Sequence, residues 1–272
     1  MLENVHGFLT SRQGGDFERA VRELALLGYW IDSIALDAKF FVPQSRPRVF
    51  VFGFHESVCS ELIVRKVSAF TFFDPWRRAV EESMVLRPPA LLRLIDKIEL
   101  PTGWATRSFR PPVEAACGLD EVIDLDSAQE WWTAEETVKH YFMMEPPSRA
   151  RVDRLVANKD TAAGTAFRRT RGGKTRTEVR FDVAGCLRTP KGGSAKQIVV
   201  AVIRGELRMR WMSPVEYARL QGAGDFRIRV PKTQALHGFG DAVCVPAISW
   251  IDANILSPVF ESATAGTIST CH

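Results

Sequence analysis

Between Asp16 and Leu27 the apolar residues recur at helical spacing, at Phe17, Ala20, Val21, Leu24 and Leu27, and Gly28 stands where a terminating glycine belongs. The period then shortens. WIDSIALDA alternates and RVFVFGF is rich in β-forming residues, with the turn-like VPQSRP between them, which predicts two strands joined by a short irregular loop. Ahead of the helix, LENV reads as the end of a strand. The order strand end, helix, strand, loop, strand is that of the closing part of an α/β sheet.

From His55 to Arg204 the pattern loosens. Proline-rich spots (RPPALL, LPTGW, FRPP, MEPPSRA) interrupt it and acids cluster from Glu114 to Glu136, so the stretch reads as a separate, irregular domain. Regularity returns at MSPVEYARLQG, where Ser213 and Glu216 have the spacing of a capping box at the head of a helix. The tail TQALHGFGDAVCVPAISWIDANIL reads as a glycine-rich turn leading into a mostly apolar helix. The expected divisions are 1–55, 56–207 and 208–272.

At 272 residues and 46% hydrophobic, the chain has apolar material for one large or two modest domains, and nothing in it suggests disorder. The longest apolar stretches, QIVVAVI and AVCVPAISWI, fall short of the ~20 residues that cross a bilayer, and the start lacks a basic region followed by an apolar run. No membrane span is expected, and a cytoplasmic location follows by default. Charge is unevenly placed. From Arg149 to Lys196 thirteen basic residues face four acids, a local +9 in a chain whose total is only +4, and nucleic acid is the first candidate partner for such a segment.

Several stretches imitate chemistry. RGGKT resembles the end of a phosphate-binding loop, but Arg168 stands where that motif needs a glycine. GAG at Gly222 and GFG at Gly238 follow no strand and read as turns. Five cysteines scattered singly and five histidines without ligand spacing encode neither a disulfide framework nor a metal site.

Four stretches gain meaning together: ENV at Glu3 to Val5, PQSRPR at Pro43 to Arg48, RWMSPVEYARLQG at Arg210 to Gly222, and GFGDAV at Gly238 to Val243. In order and spacing they resemble the second half of cytosine-5 DNA methyltransferases. The resemblance implies the C-terminal part of a class I S-adenosylmethionine-dependent, Rossmann-like α/β sheet, with the middle of the chain as an irregular target-recognition domain. It implies S-adenosylmethionine as cofactor and double-stranded DNA as substrate. The family's glycine-rich cofactor turn and its Pro-Cys nucleophile lie ahead of ENV, and this chain has no Pro-Cys dipeptide.

Methylation at C5 of cytosine needs a thiolate at C6 and an acid that relieves negative charge at N3. By the resemblance, Glu3 contacts N3 and the exocyclic amine, Arg48 donates to O2, and Arg46 and Gln44 support Arg48 and the adjacent backbone. We accordingly place Arg46 with Glu3 and Arg48 in the catalytic set, and Gln44 beside the DNA. Asn4 and the final motif, Gly240, Asp241, Ala242 and Val243, match the cofactor side. Asp241 stands where the family usually has asparagine: it is harmless if it caps the following helix, and weakens binding if it faces the cofactor carboxylate. The target base must be flipped out of the duplex, and Arg168, Arg169, Arg171, Lys174, Arg188 and Thr189 are the candidates for gripping the DNA. Arg210, Glu216, Arg219 and Gln221 look like the set that organises the base of the recognition domain.

Three readings stay open at this level. The chain completes a split enzyme whose second polypeptide supplies the cysteine and the cofactor turn, it is a DNA-binding module without catalysis, or it is a gene fragment.

Overall fold

The computed structural model of the chain describes residues 1–57, 60–66, 74–114, 117–125, 130–171, 174–189 and 195–269; the side chains of 169–175 and 265–269 lie outside that description. The fold is mixed α/β, as the pattern predicts. Two compact units form: Met1–Asp37 with Pro47–Val113 and Ile248–His272, and Ala38–Arg46 with Glu114–Ala247. Residues 56–113, which composition groups with the middle of the chain, pack in the first unit.

In the first unit, β1 (Leu2–Val5) leads through a 3-10 turn to α1 (Gly15–Leu26), then β2 (Tyr29–Asp37) and β3 (Pro47–His55). The sheet order is β1-β3-β2, and both pairings are antiparallel. Short strand β4 (Val64–Arg65), helices α2 (Pro75–Glu82) and α3 (Pro89–Lys97), and β5 (Ala105–Thr106) follow. The apolar stripe of α1 buries Phe17, Val21 and Ala25 among Ile31, Val49 and Val51 of the sheet and Leu91, Leu94 and Ile95 of α3. Phe17 stacks on Trp104 with ring centroids 6.4 Å apart. Chain entry to α1 is tight. Gly14 has φ +91°, and a Cβ there would lie 2.5 Å from Leu94 Cδ2.

The second unit holds α4 (Ala134–Phe142), α5 (Pro146–Ala157), the strands β6 (Ala162–Arg171), β7 (Lys174–Arg180), β8 (Ile198–Ile203) and β9 (Glu206–Trp211), then α6 (Pro214–Leu220) and α7 (Lys232–Asp241). Its sheet runs β7-β6-β8-β9, again antiparallel throughout. Central strand β8 reads as an unbroken apolar run because both its faces are covered: Val199 and Ala201 enter one core cluster, Ile198 and Val200 the other. Helix α8 (Val245–Ile251) continues through a π turn, Asp252–Leu256, into α9 (Ser257–Ser269).

Two expectations need correction. The region expected to be irregular carries regular elements, because prolines taken as interruptions start helices: Pro89 and Pro146 occupy first-turn positions, where a missing N–H costs nothing. The stretch read as a glycine-rich turn is helical through Asp241, and only Ala242–Cys244 breaks the run before α8. Separately, the helical stretch Lys232–Thr264 is long and apolar enough by length and composition to cross a membrane, with mean hydropathy 1.5 over an 18-residue window, a test that the core helix of a soluble protein also passes. An average over a window tolerates polar interruptions that a count of consecutive residues does not. Leu236, Ile251, Ile255 and Val259 of that run are buried in the protein.

A buried polar network ties the first unit together. The Arg87 guanidinium donates to both oxygens of Asp32 at 3.1 Å and to Thr106 Oγ1 at 2.8 Å, while the Thr106 hydroxyl donates to Asp32 Oδ2 at 2.6 Å. Ser83 Oγ completes it beside Arg87. Arg87→Met would strand a buried carboxylate and should cost about 3–5 kcal/mol, whereas the double change with Asp32→Leu should recover most of that loss; urea unfolding of both variants checks it. In the second unit, Tyr217 Oη accepts the Gln197 N–H at 3.0 Å, and burial pushes its pKa up to about 12. The neutral phenol is therefore the form the fold favours. Its contribution is complete below the ordinary tyrosine pKa of about 10 and is lost as pH rises toward about 12, so tyrosinate absorbance and loss of tertiary circular dichroism should rise together in that window.

Candidate functional site

In the first unit, β1 and β3 place Glu3 and Arg48 on one face. Glu3 pairs with Phe50 and Val5 with Arg48 across the ladder, which makes Glu3 and Arg48 diagonal neighbours. Arg48 Nε lies 3.2 Å from Glu3 Oε1, with the side chains 14% and 22% exposed. Arg48 Nη1 also donates to the Pro47 carbonyl at 2.9 Å. Glu3 Oε1 is shielded from water without a hydrogen bond in good geometry. The carboxylate and guanidinium are thus held together at a half-buried position, where electrostatic contacts are screened less than at the open surface. Asn4 points the other way along the strand, exposed, its Oδ1 accepting the Val5 N–H at 2.8 Å.

Gln44 and Arg46, placed with the DNA and the catalytic set from sequence, are occupied inside the second unit. Gln44 is fully buried: its Nε2 donates to the Leu220 carbonyl at 2.6 Å and its Oε1 accepts the Leu187 N–H at 3.1 Å. Arg46, 3% exposed, donates to the carbonyls of Leu187 at 3.0 Å, Gly240 at 3.4 Å and Ala242 at 2.7 Å. Gln221 Nε2 reaches the Phe239 and Ala242 carbonyls at 2.7 and 3.3 Å. Three side chains therefore satisfy the backbone of the segments ahead of Arg188 and around Gly240, as buried peptide groups require.

The final motif is the end of α7 and the break after it. Gly240 is buried, Ala242 is half-buried, and Asp241 and Val243 are exposed. Asp241 is the last residue of α7, four positions before α8 begins, so it does not cap the following helix. Its carboxylate stands at a helix C-terminus, where the backbone dipole disfavours negative charge and a cationic group would be welcome.

Among the DNA candidates, Arg188 is exposed and Thr189 half-buried. Arg168 lies over Trp211, 5.3 Å from its ring centroid, with Lys196 at 5.9 Å. The side chains of Arg169, Arg171 and Lys174 lie outside the described residues; their backbones pair across the β6–β7 hairpin. Of RGGKT, Arg171 ends β6, and Lys174 and Thr175 begin its antiparallel partner β7; Gly172 and Gly173 lie outside the described residues. Sequence reasoning missed the aromatic part of this region. Trp132 meets Trp211 edge-on at 5.1 Å and flanks a cleft of about 450 Å³ with Trp131, Glu136 and Lys232. Its only signal in the chain is the WW dipeptide at Trp131 and Trp132.

Arg210 and Glu216 form a buried bidentate pair at 2.6 and 2.8 Å, each 1% exposed. The same carboxylate accepts the Ser213 N–H at 2.7 Å, while the Glu216 N–H donates to Ser213 Oγ at 3.3 Å: the expected capping box is present. Arg210 also donates to the Asp124 carbonyl at 2.9 Å, and Arg219 to that of Val122 at 3.0 Å. Cys117 offers no ready nucleophile. Burial, a hydrogen bond to Glu121 and the charges of Glu121 and Asp120 all push its thiol up, away from the thiolate.

Comparison with known proteins follows the same lines. A family model described as C-5 cytosine-specific DNA methylase matches residues 1–257. The DNA-cytosine methyltransferases of Escherichia coli strain K12 and of O157:H7 are each 26% identical over 289 residues, covering 97% of this chain and 50% of those proteins. The Type II methyltransferase M.SsoII of Shigella sonnei is 25% identical over 260 residues, covering 94% of this chain and 52% of its own. The chain spans about half the length of the curated relatives it matches. It belongs to the C-5 cytosine-specific DNA methylase family.

Proposed function

We propose that this chain is the C-terminal portion of a cytosine-5 DNA methyltransferase, holding the target cytosine for methylation while a second polypeptide supplies the nucleophilic cysteine and the cofactor turn. The observation that carries the reading is the Glu3–Arg48 pair, a carboxylate and a guanidinium 3.2 Å apart on neighbouring strands. Such a pair suits a ring that must be gripped along one edge. Arg48 would complement negative charge that spreads to O2 as C6 is attacked, and Glu3 would engage N3 and the exocyclic amine. S-adenosylmethionine would supply the electrophilic methyl group. Asn4 and the Gly240–Val243 break are the residues of this chain that would hold it, and the exposed Asp241 carboxylate suits the ammonium of its methionyl end.

A free sheet edge supports the second-polypeptide reading. Among the described residues β1 pairs only with β3, and Met1, Leu2 and Val5 are 49%, 51% and 53% exposed. An apolar strand edge of this kind is a place where another strand adds. Target reading is assigned to residues 56–207, and within them to the basic β6–β7 hairpin and to Arg188 and Thr189, which would grip phosphates and place the flipped nucleotide. A recognition module without catalysis is the alternative.

Tritium transfer from S-adenosylmethionine to mixed-sequence DNA decides among these. Incorporation is expected only when the chain is combined with a polypeptide carrying the missing half, such as the product of a neighbouring reading frame. Turnover by the purified chain alone would sink the split reading, and silence in the mixture with DNA binding intact would favour the recognition module. In the active mixture, Arg48→Ala should lower kcat by about 10²–10³ and Glu3→Gln by about 10²–10⁴, with DNA affinity little changed. For the chain alone, log K for DNA should fall linearly with log salt, and Arg188→Gln should reduce the slope by about 1 if Arg188 neutralises one phosphate.

A further inference from the structure

The second unit brings the segment that leads into Arg188 against the end of α7. Leu187 is gripped from both sides: Gln44 Oε1 accepts its N–H at 3.1 Å, and Arg46 Nη1 donates to its carbonyl at 3.0 Å. The other arm of the same guanidinium, Nη2, donates to the Ala242 carbonyl at 2.7 Å, and both arms reach the Gly240 carbonyl at 3.4 Å. A rigid planar fork with donors fixed relative to one another is suited to setting the distance between two backbones. Gly240 lets them touch. A Cβ there would lie 2.6 Å from both Arg188 C and Thr189 N, closer than any side chain tolerates.

We propose that Arg46, with Gln44 and Gly240, is a joint that makes the Arg188–Thr189 segment and the Gly240–Val243 break move as one body, so that occupancy of one by DNA is felt at the other. Arg46 is then a positioning residue rather than a catalytic one, distinct from Arg48 two positions on. The inference rests on the proposed reading for the identity of the ligands at each end; the joint itself is a property of the free chain. Linkage is reciprocal, so a ligand at the α7 end would in turn alter DNA affinity. The Trp132–Trp211 cleft carries charges of both signs, and the exposed β1 edge belongs to the assembly already proposed.

Hydrogen exchange of the full chain, read by mass spectrometry, tests the joint with and without a cytosine-containing duplex. In the free wild-type chain, the amides of 187–189 and 240–242 should exchange as a single unit. Arg46→Met should accelerate both by about tenfold or more, within the span of known couplings, while β8 and β9 keep their rates. Added duplex should protect both segments together in the wild type. In Gly240→Ala, which forces the backbones apart while Arg46 itself is kept, duplex should protect 187–189 and no longer 240–242. Independent exchange of the two segments in the free wild type would overturn the joint, as would joint protection that survives in both variants. Should the wild-type chain take up no duplex, the DNA-methylating reading falls, and the free-chain rates alone still decide the joint.

Discussion

A backbone carbonyl shut away from water without a donor costs about 1–3 kcal/mol, and this constraint governs how the second unit is assembled. Leu187 lies in an irregular stretch and Leu220, Phe239, Gly240 and Ala242 lie at helix ends, none of them inside a ladder, so their carbonyls depend on side chains. Gln44, Arg46 and Gln221 supply the donors. The backbone adds one further pairing, the parallel bridge at Gln44 and Ala184, through Ser45 N to Ala184 O and Ala184 N to Pro43 O. Residues far apart in sequence are thereby fixed to one another by directional bonds, where apolar packing alone would let them slide.

The motif around Gln44 divides its labour between the two units. Gln44 and Arg46 turn inward, to carbonyls of the second unit, while Arg48 belongs to β3 and pairs with Glu3 in the first. One short piece of chain thus contributes to both units.

Much of this was legible in the sequence. Helix α1, strands β2 and β3 and the capping box at Ser213 follow from local period and local hydrogen-bonding chemistry, which a sequence carries in full. The proline-started helices escaped because Pro89 and Pro146 punctuate an apolar pattern whether they end a segment or begin one, and only the packing of Leu91 or Val152 tells which. Arg46 and Arg48 are indistinguishable as residue types. What separates them is the identity of the neighbours each reaches, and those neighbours lie between 45 and 196 positions away along the chain. The antiparallel order β7-β6-β8-β9 was hidden for the same reason, since β6 and β8 pair across a long intervening hairpin.

The Arg210–Glu216 pair has a consequence for how such a protein changes over time. It fastens the end of β9 to the start of α6 and to the backbone at Asp124, all at the root of the four-stranded sheet. The β6–β7 hairpin projects from the opposite edge of that sheet, with β8 between it and β9. Substitution or lengthening at the hairpin tip leaves every bond of the root in place. A lineage can alter the hairpin there in small steps, each one tolerated by a foundation that does not take part in the experiment.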